Sequence, residues 1–482
     1  MRTHLGLTPV IIATALAALF AFLIWSDLSV LTLFPLGLLL IYFAVYESEK
    51  VFLLLAFLTP LSVNIEEFTQ SFGLYIPTEP ILFGFMILFT AFQIQSPFLE
   101  KGIWKSPIIK AVAVYLFVIV VTAITSSHPI VSLKFLLARL WFIVPMLIFG
   151  THFFRLEANR RRFFWLFLIA CCLVIIYTLI HHSMYAFGEK EGHWVMWPFF
   201  KDHTIYGAIV AFILPISIAL FWSDKHTPLT QAILISLIFI VLLGLFFSYT
   251  RAAWLSVIAA IGVGFLVYYK VNFKIIVGAF LVVLLGVWSQ WDQIQIEMSR
   301  NKLEHTTENF DERLQSATNV TTDASNLERI NRWSCAIEMF KQRPIFGYGP
   351  GTYAFEYAPF QEPENLTIIS TNFGDMGNAH SEYLGALSEM GVLGLLAFIG
   401  IVAAIFYSII TLYHDWPKED RKNRVMLMGF IIALTTYFVH AFLNNFLDTD
   451  KAAVPIWAIC AMVVIMRVQL DKGEIKAEKT GR

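Results

Sequence analysis

Long apolar runs alternate along this chain with short polar loops, and most of the runs have the length of a bilayer crossing. A helix needs roughly 20 apolar residues, or about 17 at the short end, to traverse the hydrocarbon. The runs 8–25, 29–46, 79–95, 107–125, 131–150, 163–182, 203–222, 230–248, 252–269, 273–290, 385–411, 425–445 and 452–468 qualify. The stretch 50–63 is shorter and bounded by Pro60, and counting it brings the total to fourteen. The expected fold is an all-α integral membrane protein of about fourteen transmembrane helices. Residues 1–290 carry helices 1–11, 291–384 form a long polar loop, 385–468 carry helices 12–14, and 469–482 form a tail.

Lys and Arg set the expected orientation, because they collect in short cytoplasmic loops. With all fourteen spans counted, RLEANRRR (155–162), KEDRKNR (418–424) and the tail after Arg467 fall on one side, with Lys101, Lys105, Lys225, Lys270 and Lys274. The loops near Ser26–Leu28, Ser126–Pro129 and Phe446–Lys451 hold almost no positive charge. Both termini are then cytoplasmic and 291–384 is external. Within that segment, 326–342 is expected to be an amphipathic helix, its apolar stripe running through Ile330, Trp333, Ile337 and Phe340. Pro344 ends it, and the turn-rich FGYGPGTY (346–353) follows.

Composition agrees with a membrane protein: 58% of residues are hydrophobic and only 14% charged, against about 25% charge in a soluble domain. A net charge of −1 gives no reason to expect nucleic acid as a partner. The four cysteines are scattered and read as core fillers or bystanders. Pro9–Trp25 has no small-residue cleavage site and another apolar run follows at once, so it reads as a first span. There is no phosphate-binding GxxxxGKS, no GxSxG and no clustered Cys/His.

Ionisable groups in spans are costly and usually face a cavity or a partner. Arg251, in SYTRAAWLS, stands at the outer start of the tenth span; Lys134 and Arg139 lie in the outer half of the sixth, five positions apart and so on different faces. Snorkelling to lipid phosphates is the alternative for all three. Asn378 is a candidate N-cap that would seat His380 in the first turn of the re-entering helix, where the partial positive charge disfavours imidazolium. A neutral imidazole is the form a general base requires. Glu382 and Glu389 are nearby acids. His203 lies at the outer end of the eighth span, and His440 and Asn444 share a face of the thirteenth. Asp448 and Asp450 resemble the paired carboxylates that hold a divalent metal in many sugar transferases.

In order, TRAAWLS, a long external loop, Arg332-Trp333 with Ala336, RPIFGYGPGTYAFEY (343–357, opening on Arg343) and NAHSEYLGALSEMGVLGLL (378–396) resemble the O-antigen ligase and O-antigen polymerase superfamily of membrane glycosyltransferases. His380 followed by ten residues and Gly391 is similar to the ligases' H-x10-G pattern. Many relatives have Asn where this chain has Ser381, which leaves ligase and polymerase both open. The resemblance implies a GT-C-like bundle in the bacterial inner membrane. It implies transfer of a glycan from undecaprenyl diphosphate to a hydroxyl of lipid A-core or of a carrier-linked repeat, on the periplasmic side, with no metal or other cofactor. His380 would be the general base, Arg251 the diphosphate ligand and Arg139 its helper. Lys134, His203, Arg332, Arg343 and Glu382 complete the expected substrate-binding set. A transporter or flippase of lipid-linked saccharides is the rival reading, although paired, inverted halves are not visible.

Overall fold

The computed structural model describes residues 42–66, 73–271, 289, 324–361 and 377–474. The expected spans 8–25 and 273–290, most of 29–46, and the loop segment 291–323 lie outside the described residues. The chain divides into two units, Met1–Leu55 and Ala56–Arg482, and apart from the first helix, which runs across the boundary, everything below concerns the second.

Helix α1 covers Ser48–Leu61. Its 14 residues rise about 21 Å, short of the roughly 30 Å hydrocarbon thickness, so the expected third span is a helix but not a full crossing by length. A two-residue hairpin, β1 (Val63–Asn64) with β2 (Tyr75–Ile76), follows. Next come α2 (Thr78–Gln95), α3 (Pro107–Ile124), α4 (Pro129–Phe153), α5 (Glu157–Ser183), α6 (His203–Ser223), α7 (Pro228–Phe246) and α8 (Arg251–Tyr268). Helix α9 spans Ala324–Gln342, and α10 (Glu382–Asp415), α11 (Arg421–His440) and α12 (Asp450–Asp471) close the bundle. Ten of these helices among the described residues are long and apolar enough to cross a membrane, and each matches an expected span.

Pro at the first position starts α3, α4 and α7, where its missing N–H forfeits no helical bond. Pro145 opens a π-helical stretch, Val144–Phe149, inside α4. Helices α6 and α12 are hydrophobic on all sides and bury most of their side chains, as central helices do. The outer helices instead turn Phe117, Ile130, Leu229 and Ile258 outward, a surface suited to lipid rather than water.

Loop contacts define two ends of the bundle. At one end the Ser127 amide donates to the Tyr348 carbonyl, the Glu382 amide to Ala441 and the Thr250 hydroxyl to His203. At the other, Arg155 pairs with Glu100 and Glu474, Arg161 with Glu157 and Asp224, and Arg467 with Asp415. The loops expected on one side of the membrane therefore gather together, and so do those expected on the other.

One expectation needs correction here. The buried face of α9 is not the apolar stripe but Glu328, Asn331, Arg332, Cys335, Ala336 and Met339, while Ile337 is 41% exposed. The small Cys335 and Ala336 fit against Tyr348, Tyr353 and Tyr357, and the polar residues find partners inside. Hydrophobicity sorts faces poorly at a membrane boundary, where lipid also accepts an apolar side chain. Helix α10 covers its expected span and is broken at Gly391 (φ 64°, ψ −161°). A Cβ there would stand 2.3 Å from the Ile345 carbonyl oxygen, so the ten-residue spacing from His380 ends on a position that only glycine fills without strain.

Candidate functional site

The segment 343–353 docks into the break in α10. The Val392 amide donates to Pro344, the Gly349 amide to the Glu389 carbonyl, and the Glu389 carboxylate accepts from the Gly351 and Tyr353 amides at 2.9 and 3.1 Å. On its other side the same segment meets Ser127 and Ser132, whose hydroxyls donate to the carbonyls of Tyr348 and Pro350, both at 2.9 Å. Gly347 and Gly349 hold positive φ in close contact with α10 and Ser126. FGYGPGTY is thus a wedge packed between the break in α10 and the start of α4.

His380 sits just before the start of α10. The N-cap is Ser381, whose Oγ accepts from the Leu384 amide at 3.3 Å. Asn378 instead accepts from the amide of His380 itself, at 2.9 Å. The expected placement of His380 in the first turn is therefore overturned: it precedes the cap, in the left-handed region at φ 45°. Its carbonyl accepts from Trp333 Nε1 at 3.4 Å, tying it to α9. The ring is half-buried. Burial first, then the guanidinium groups of Arg329 and Arg332, lowers its pKa to about 4, against a smaller opposing pull from Glu328 and Asp202. The imidazole is neutral at pH 7, for reasons other than the helix terminus.

Arg332 is held on all sides. Its Nε donates to Glu328 at 2.7 Å, its guanidinium lies 4.1 Å over the Tyr357 ring, and its carbonyl accepts from the Tyr353 hydroxyl. Gly377, at φ 153°, packs so closely that a Cβ would meet Arg332 Nη1 at 1.8 Å. Arg332 thereby anchors the chain three residues before His380.

His440, at the end of α11, accepts from Asn444 Nδ2 at 3.0 Å and lies in the field of Arg329, Asp202, His203 and the Ala252 backbone. His203 is the first residue of α6, capped by Asp202, and its ring stacks on His193 at 4.1 Å. Its carbonyl accepts from Thr250, the residue before Arg251. Arg251 opens α8, so a guanidinium stands at the helix end that repels cations. Its chain neighbours Thr250 and Ala252 reach His203 and His440, and the charge of Arg329 acts on both His440 and His380. The expected His380, Arg251, His203 and Arg332 therefore belong to one end of the bundle and are linked through shared neighbours.

The other candidates go elsewhere. Arg139 is buried, 4.6 Å over the Phe135 ring, and shares a network with Tyr115, Glu382, Asp448 and Tyr437. Glu382 Oε1 accepts from the Tyr437 hydroxyl at 3.0 Å and the Leu447 amide at 2.8 Å; it closes α10 onto α11. Lys134 is exposed on the opposite flank of α4. Arg343 is exposed and stacks over Tyr348 at 4.3 Å. Asp448 and Asp450 do not converge. Asp450 accepts from Ser62 Oγ at 2.5 Å, and neighbouring Lys451 donates to the carbonyls of Thr59 and Ser62 at 2.6 and 2.7 Å. Asp448 is accessible, yet burial raises its pKa against the opposing pull of Arg139 and Lys201, as for a carboxylate in a recess. Among the described residues no group of three or more His, Cys, Asp or Glu could hold a metal ion.

Arg329, His193 and Lys201 were missed. A signal for Arg329 was available: in LERINRW it stands three residues before Arg332, about 60° away on the same side of a helix. His193 and Lys201 lie in a loop whose course no periodicity announces.

Ten helices long and apolar enough to cross a membrane, among the described residues, mark an all-helical, multi-pass membrane protein. Residues 235–399, which include Arg251, α9, the wedge, His380 and Gly391, match the family model described as O-antigen ligase, and the match supports membership of the O-antigen ligase and polymerase superfamily. No curated protein matches the chain.

Proposed function

We propose that this chain is a glycosyltransferase of the O-antigen ligase or polymerase type, set in the bacterial inner membrane with both termini cytoplasmic and the His380 end facing the periplasm. It moves a glycan from undecaprenyl diphosphate to an acceptor hydroxyl, on lipid A-core in a ligase or on a carrier-linked repeat in a polymerase. The observation that carries the reading is the placement of His380 directly before the cap of α10 and tied to α9 through Trp333, inside the segment that matches the family.

In the proposed step the acceptor oxygen forms a bond to the anomeric carbon while the bond from that carbon to the diphosphate oxygen breaks. The electron pair leaves with the diphosphate, and the acceptor proton passes to the His380 imidazole. Arg251 and Arg329 offset the charge gathering on the leaving group, a task a guanidinium performs with two parallel hydrogen bonds. Arg139, among Glu382, Asp448 and Tyr437, is already offset and supports the site rather than the diphosphate. No metal enters the step.

The test is transfer in proteoliposomes carrying the lipid-linked donor and each acceptor. His380→Ala should abolish transfer while the protein still inserts and folds, and Arg251→Lys should be impaired because an ammonium lacks the planar fork. Near-normal turnover in His380→Ala refutes the assignment. Ladder-like lengthening of carrier-linked glycan identifies a polymerase; glycan on lipid A-core identifies a ligase; donor that changes leaflet without a new glycosidic bond identifies a transporter.

A further inference from the structure

At the end of the bundle opposite His380, a groove of about 420 Å³ opens between α6, α8 and α11. Its volume lies within the roughly 300–1,000 Å³ of ligand sites. Its walls are apolar, formed by Ile218, Met428 and Ile432 among others. Its rim is cationic, with Lys418, Arg421 and Arg424. Trp222 and Tyr268, 57% and 64% exposed, stand beside it, and such aromatics mark the level of lipid headgroups. Arg424 is fixed: its guanidinium lies 4.6 Å over Tyr413 and Nη1 donates to the Trp416 carbonyl at 3.1 Å. Lys418 and Arg421 are exposed, and among the described residues neither has an ion pair or a side-chain hydrogen bond. The neighbouring Lys422, by contrast, pairs with Glu157 and Asp224.

An apolar slot within membrane-spanning helices, with one fixed and two unpaired cations at its mouth, matches a ligand with an acyl chain and a phosphate. We propose that the groove is a binding site for an anionic diacyl phospholipid of the surrounding leaflet. One acyl chain lies along Ile218, Met428 and Ile432, and the headgroup phosphate is held by Lys418, Arg421 and Arg424. Basic recesses between membrane helices hold anionic lipids by this combination. The site is remote from His380 and does not depend on the proposed transfer reaction.

The full chain in mild detergent, titrated with phosphatidylglycerol or phosphatidylcholine and followed by native mass spectrometry, tests this. Phosphatidylglycerol should bind preferentially. The double variant Lys418→Gln/Arg421→Gln, at exposed positions, should weaken it about thirtyfold, the effect of two cations near a charged membrane surface, and weaken phosphatidylcholine much less, because its choline already offsets the phosphate. Ile218→Trp, which fills the slot and keeps the cations, should weaken it as well. Undiminished preference in the double variant overturns the proposal, and so does unchanged affinity in Ile218→Trp, which would mean attraction to the surface alone. Displacement of the lipid by inorganic phosphate at equal concentration overturns it too, by identifying a soluble-anion site. Thermal unfolding of each variant controls for folding.

Discussion

The pH dependence of transfer is the most direct consequence of how His380 is held. With a pKa of about 4, about 90% of the ring is neutral at pH 5, whereas about 3% would be at the ordinary 6.5. In the free protein Arg329 and Arg332 add to the effect of burial. A bound diphosphate would offset Arg329, so the pKa should climb once donor is loaded. The acid limb of kcat/KM, which reports the free enzyme, should therefore fall near pH 4, and the acid limb of kcat should lie higher. Arg329→Gln should move the kcat/KM limb upward, since one repelling charge is gone. Titration of ring-labelled His380 by NMR reads the same group without turnover. Stability has the matching sign: the folded pKa lies below the unfolded one, so this group's contribution is complete above about pH 6.5 and is lost as the pH falls toward 4. An acid limb of kcat/KM near 6.5, with a ring titration to match, would refute the reasoning.

Glu389→Gln leaves one of the Gly351 and Tyr353 amides facing an NH2 instead of an oxygen, and should cost about 1–3 kcal/mol in thermal or denaturant unfolding. Gly391→Ala should be worse than Ala substitution of the open Gly400, because it adds a clash with Ile345 to a left-handed backbone; unfolding temperatures of the pair decide this. Ser381→Ala removes the cap of α10 for about 1 kcal/mol and should reduce transfer without abolishing it. Exhaustive chelation should leave transfer unchanged, and loss restored by a divalent ion would contradict the proposed step.

The spans were legible because a bilayer imposes one length and one composition on each, and α2 to α8 and α10 to α12 begin and end within a few residues of the apolar runs. Helix α1 shows the limit: its apolar residues are continuous, but Pro60 and the hairpin at Val63 stop it early. His380, Gly391 and the wedge stood out as a motif, yet their geometry did not. Asn378 and Ser381 are both good caps, and sequence cannot say which of them the loop presents to the helix. The face of α9 was misread because Arg332 is buried by a carboxylate one turn away and by a tyrosine 25 residues downstream, the second being a contact that no local pattern encodes. The pairing of His193 and His203 with His440 brings together two distant segments and could not be foreseen for the same reason.

The wedge also dictates an order of assembly. Ser127 and Ser132 bond to carbonyls 221 and 218 residues later in the chain. At a synthesis rate of about 5–20 residues per second, these hydroxyls wait roughly 10–45 s for their partners. During that interval the first half of the bundle stands in the membrane with a polar seam facing no protein, kept tolerable by water or by bonds within its own helix. The wedge gains its second wall, and the chain gains His380, only once α10 has been made, so a chain released before that point should be inserted but lack the candidate site.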